Sequence, residues 1–105
     1  METKGKAETF IGFSVRAGKF RSGANTLATL KRAYLILVCD TAAENTKQLA
    51  VKYAAKYRCK ALCTAGRTLS EISHKEGIKI AAITDFSLAK AVAENALPEF
   101  TVIGE

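Results

Sequence analysis

Tyr34-Leu-Ile-Leu-Val-Cys39 is an unbroken apolar run with no helical period. Such a run reads as a strand covered on both faces, so a chain containing it must place helices on both sides of a sheet. It is also far too short to cross a bilayer. The flanking pattern agrees. Lys60-Ala-Leu-Cys-Thr64 and Ile78-Lys-Ile-Ala-Ala-Ile-Thr84 are two further short strand patterns, and helical patterns separate the three. Alternation of this kind predicts a three-layer α/β/α sandwich, a single domain with a mixed sheet of about four strands. A length of 105 residues suits one such domain.

The helices carry their own punctuation. Thr9 to Ala17 has Phe10, Phe13 and Ala17 at helical spacing, with Gly18 as the stop. Residues 1–8 read as a flexible leader with no apolar stretch for a signal peptide. Lys19-Phe20-Arg21 is a short connection or edge strand, and Ser22-Gly23 opens a second helix with Leu27, Ala28 and Leu30 available for its apolar stripe. Thr41-Ala-Ala-Glu44 and Thr68-Leu-Ser-Glu71 both have capping-box spacing. The first should start a helix running to about Arg58, lined by Leu49, Ala50, Tyr53, Ala54 and Tyr57. The second should start a short helix ended near Gly77. Asp85 is placed to cap a last helix that Pro98 ends. Phe100 to Ile103 adds a small strand or packs as a tail.

Charge is unevenly spread. The formal charge is +6, from 16 Lys and Arg against 10 Asp and Glu. No acid lies between Glu8 and Asp40, or between Glu44 and Glu71, while the stretch from Asp85 onward is net acidic. A basic surface with an acidic end suits a polyanion bound on one side. The alternative is a solvated surface in a basic protein.

Catalytic constellations are not found in the sequence. His74 is the only histidine, and no nucleophile elbow, phosphate-binding loop or dinucleotide fingerprint is present. Asp40 at a strand end reads as a helix-entry cap. Cys59 and Cys63 lack the further ligands of a zinc site, and with Cys39 they read as small core or boundary residues of a reducing compartment. No cofactor and no metal are expected. The segment Gly23-Ala24-Asn25-Thr26 is more informative. It starts a helix, where free N–H groups face outward and suit phosphate. Asn25 and Thr26 add groups for base edges, and Lys19, Arg21, Lys31 and Arg32 surround the segment in sequence. Capping by Ser22 and Asn25 is the simpler alternative.

Several of these segments, in this order, resemble one family. They are Phe10-Ile-Gly-Phe-Ser-Val-Arg-Ala-Gly-Lys-Phe-Arg-Ser-Gly23, Tyr34-Leu-Ile-Leu-Val-Cys-Asp40, Ala43-Glu-Asn-Thr-Lys47 and Ile80-Ala-Ala-Ile-Thr-Asp85. Together they are similar to the kink-turn RNA-binding ribosomal protein superfamily (large-subunit proteins seven-Ae and thirty-e), closest to its bacterial YlxQ-type branch. The likeness covers roughly residues 9–96. It implies a non-enzymatic RNA-binding protein, with structured or ribosomal RNA and ribonucleoprotein proteins as partners; a cytoplasmic protein without a membrane is what the missing signal-peptide pattern, the short apolar runs and the cysteine usage lead one to expect. Carried over by position, Gly23, Ala24, Asn25 and Thr26 meet the sheared pairs of a kink-turn. The turn containing Arg67, Thr68 and Leu69 follows, with Arg67 toward phosphate and Leu69 toward an unstacked base. Thr26 stands where the family usually has Glu or Gln, and a Thr hydroxyl is shorter. Two other readings remain: a protein-interaction module of the same fold with weak or no RNA binding, and a small enzyme or redox protein using Cys59 and Cys63.

Overall fold

The computed structural model describes residues 6–96 and 99–103. Five strands form one mixed sheet: β1 (Phe20–Ser22), β2 (Leu35–Val38), β3 (Lys60–Thr64), β4 (Ile80–Ile83) and β5 (Phe100–Ile103), in the order β1-β4-β2-β3-β5. β2 and β3 are parallel, and every other neighbouring pair is antiparallel. All four residues of β2 and all four of β4 are buried, as strands in the middle of a covered sheet must be. The fifth strand exceeds the expected four because Phe100–Ile103 pairs along β3 from Ala61 to Thr64. Phe100 is fully buried, so the same segment that adds backbone hydrogen bonds also anchors the core.

Helices α2 (Ala24–Ala28) and α3 (Glu44–Tyr57) pack together on one side of the sheet. Helix α1 (Lys6–Arg16) packs against α4 (Leu69–Ser73) and α5 (Phe86–Glu94). The sandwich is therefore the α/β/α arrangement that the buried strand required.

Local signals account for most of the boundaries. α1 ends where Gly18 turns left-handed (φ 73°): Gly18 N–H donates to Val15 O and Lys19 N–H to Ser14 O. Thr68 and Glu71 form a complete capping box, and Asp85 accepts from the Leu88 N–H. α3 ends at Arg58, which is left-handed at φ 59° and ψ 47° where glycine would be unstrained.

Four expectations need correction. The leader assigned to 1–8 is helical from Lys6, with Ala7 and Glu8 buried, while residues 1–5 lie outside the described residues. The buried face of α1 includes Ala7, Ile11 and Ser14, whereas Phe13 is exposed beneath the Arg16 guanidinium. Thr41 caps nothing: Ala43 is the N-cap of α3 and supplies no side-chain cap, and the Thr41 hydroxyl is engaged by Lys79 Nζ at 2.9 Å and Cys39 Sγ at 3.0 Å. α4 stops at His74, earlier than Gly77, because His74 itself turns left-handed. The stop assigned to Pro98 lies outside the described residues.

Candidate nucleic-acid interface

Strands β1, β2 and β3 all point the same way, so their C-terminal ends share one end of the sheet. The register makes this explicit. Ser22 lies level with Ala81 and Leu37, and Ile80 lies level with Val38. Val38 in turn pairs with Cys63. The starts of α2, α3 and α4 therefore emerge together, at the helix-entry end of the sheet. In open α/β sheets the crevice beyond the strand carboxyl ends is the usual place for ligands.

The two segments singled out by the sequence both lie at this end. Gly23 N–H donates to Ile80 O at 3.0 Å, and Ser70 Oγ accepts from the Ile78 N–H at 3.1 Å. The loop before β4 thus joins the start of α2 to the first turn of α4. Gly23 has φ 97°, and a Cβ there would meet only Thr26 Oγ1 at 3.9 Å. Gly66 has φ 91° with nothing within 4 Å of a Cβ. Both glycines thus combine a left-handed backbone with room for a partner to approach closely. α2 starts without a side-chain cap, and Asn25 is exposed. A shallow groove of about 300 Å³ runs past Ser22, Gly23, Ala24, Thr46 and Lys79, with Glu76 on its rim.

Other candidate residues lie elsewhere or are already engaged. Lys19 is at the opposite end, where its carbonyl accepts from the Thr84 N–H. Lys31 and Arg32 lead into Tyr34, whose N–H bonds Ile83 O at that same opposite end. They follow α2 in sequence, but the helix carries the chain away from its own start. Arg21 is exposed on edge strand β1. Arg67 does not project freely toward a phosphate. Its guanidinium clasps the Glu8 carboxylate at distances of 2.7 and 3.4 Å, with Glu99 at 3.6 Å. The hydrogen bond to Glu8 raises the Arg67 pKa above its usual value. Thr68 is spent on the capping box, and Leu69 is fully buried, so neither side chain is presented to a base.

Nothing local in the sequence marks the Glu8–Arg67 clasp. Glu8 is only 3% exposed, while Arg67 is 43% exposed, and His74 Nε2 lies 3.3 Å from the second Glu8 oxygen. A buried carboxylate requires a cation, and the fold brings one from 59 residues away. Glu8 closes the segment that reads as a leader, where an acid is expected to be solvated.

Cys39 also sits at the helix-entry end. Burial pushes its thiol pKa up, but hydrogen bonds from Thr41 and from the Leu69 N–H outweigh this and leave it lowered. Asp40 does not cap a helix with its side chain; its N–H donates to Thr64 Oγ1 at 2.8 Å. The three cysteines are unpaired, and the described residues hold no cluster suited to a metal ion. No described helix is long and apolar enough to cross a membrane.

No family model and no curated protein matches the chain. Among solved structures, a protein of unknown function from Bacillus halodurans C has a similar fold, with a TM-score of 0.77 at 16% identity. The match covers 87% of this chain and 96% of that one. At that identity the likeness speaks for the fold alone.

Proposed function

We propose that the protein is a non-enzymatic RNA-binding protein that grips a folded RNA at the helix-entry end. One observation carries the reading: Gly23–Thr26 and the Gly66 turn emerge from the same end of the sheet, each with an open left-handed glycine. Two glycines without a side chain to bar approach, at one end, suit a sharply bent phosphate backbone, which must come close to the protein to be held. Exposed Asn25 supplies both a donor and an acceptor for a base edge, and Lys79 stands on the groove rim. The resemblance to the kink-turn binders points to the same end, and ribosomal or other structured RNA is the natural partner class.

The test is a titration with a labelled kink-turn RNA and a matched plain duplex at two salt concentrations. Asn25→Ala should remove the preference for the kinked RNA while leaving duplex binding in place. Lys79→Glu should weaken both, lowering the salt slope by about 0.7–0.9. Equal losses on both RNAs in Asn25→Ala would defeat base reading at that position.

A second reading, a protein-interaction module using the same end, is favoured by the neutralised Arg67 and the buried Leu69. A protein that binds neither RNA would support it.

A further inference from the structure

The opposite end of the sheet holds a groove of about 430 Å³ lined by Tyr34, Arg58, Lys60, Phe86, Lys90 and Glu94, among others. Two features set it apart from ordinary surface. Phe86 is 61% exposed, the most exposed large apolar side chain described. Its ring also meets Tyr34 edge-to-face, at 5.7 Å between centroids. Around it, Arg58, Lys60 and Lys90 are exposed, and no salt bridge to any of them is formed among the described residues. Neither nearby carboxylate forms a salt bridge with them among the described residues. Asp85 caps α5 through the Leu88 N–H, and Glu94 lies on the groove wall with no salt bridge among the described residues.

We infer that this groove is a binding site for single-stranded nucleic acid, with a base stacked on Phe86 and the flanking phosphates held by Arg58, Lys60 and Lys90. A solvent-facing ring between cations without salt bridges is how sequence-tolerant single-strand sites are built: the ring takes any base by its face and the cations follow the backbone. A duplex does not fit as well, because its bases are already stacked and leave Phe86 bare. An acidic peptide would satisfy the cations but not the aromatic face. Lys31 and Arg32, at the same end, extend the positive surface beyond the groove. The site stands independently of the helix-entry end.

The experiment is fluorescence anisotropy of the full chain with a short labelled oligo-uridine. Phe86→Ala should weaken binding about ten-fold or more, and Phe86→Tyr should retain it. Lys60→Glu with Lys90→Glu should lower the salt slope by about 0.7 for each phosphate no longer neutralised. Melting curves matched to the parent establish that the variants fold. Unchanged affinity in Phe86→Ala would overturn the site, since non-specific attraction alone would then explain the binding. So would displacement of the RNA by poly-glutamate at the same concentration in parent and Phe86→Ala alike. Kink-turn preference lost in Asn25→Ala leaves this site standing. Oligo-uridine binding lost in Phe86→Ala leaves the helix-entry reading standing.

Discussion

At the helix-entry end, the cation of the Gly66 turn is committed inward: Arg67 holds buried Glu8, with His74 and Glu99 alongside. At the opposite end, Arg58, Lys60 and Lys90 form no salt bridge among the described residues and face water around an aromatic ring. The same residue types serve structure in one place and remain available in the other. Net charge therefore says little about where a polyanion would bind. A basic side chain contributes to a ligand only to the extent that the fold has not already used it.

This contrast can be broken most directly at Arg67. Arg67→Ala deprives a buried carboxylate of its guanidinium, and urea unfolding should show a loss of about 2–3 kcal/mol. Arg58→Gly sharpens the contrast from the opposite direction. Removing a side chain from the left-handed position should stabilise by up to about 1 kcal/mol, raising the melting temperature by a few degrees, while weakening oligo-uridine binding. A variant more stable than its parent but worse at binding would mark Arg58 as retained for its charge. Lys60→Ala should change stability by less than about 0.5 kcal/mol. Equal costs for Arg67→Ala and Lys60→Ala would erase the distinction between the two ends.

The pH dependence should be one-sided. Arg67 has a raised pKa, so its contribution is fully present below the ordinary arginine value and is lost only above it, beyond any working pH. Cys59 is different: burial pushes its thiol from 9.0 up to about 11. Stability tied to that neutral thiol is complete below pH 9.0 and falls as pH rises from there through about 11. Cys59→Ala should flatten this alkaline limb in melting curves, and an unchanged limb would place its origin elsewhere.

What the sequence made legible was local. The buried β2 run, the Gly18 stop, the Thr68 box and the Asp85 cap each depend on residues within a few positions, and each was readable. Long-range features were not readable. β5 needed β3 as its partner, with α4, β4 and α5 intervening in the chain. Thr41 had the right spacing for a cap but met Lys79 and Cys39 first. The acid-free stretches read as basic, yet α2 and α3 lead Lys31, Arg32, Arg58 and Lys60 to the end opposite Gly23. Leu69, placed against a base by resemblance, is instead the first residue of α4 and fills the core.

Helix α2 has only five residues, too few to persist alone in water. Its carbonyls are held from outside. The Tyr53 hydroxyl donates to Ala24 O at 3.2 Å, Lys56 Nζ to Ala28 O at 3.0 Å, and the Tyr57 hydroxyl to Leu27 O at 2.6 Å and, just beyond the helix, to Leu30 O at 3.0 Å. The segment bearing Asn25 thus inherits its lifetime from the last turns of α3, and those turns run directly into Arg58. Truncating either tyrosine would therefore loosen a segment some thirty residues away in the chain without touching it directly.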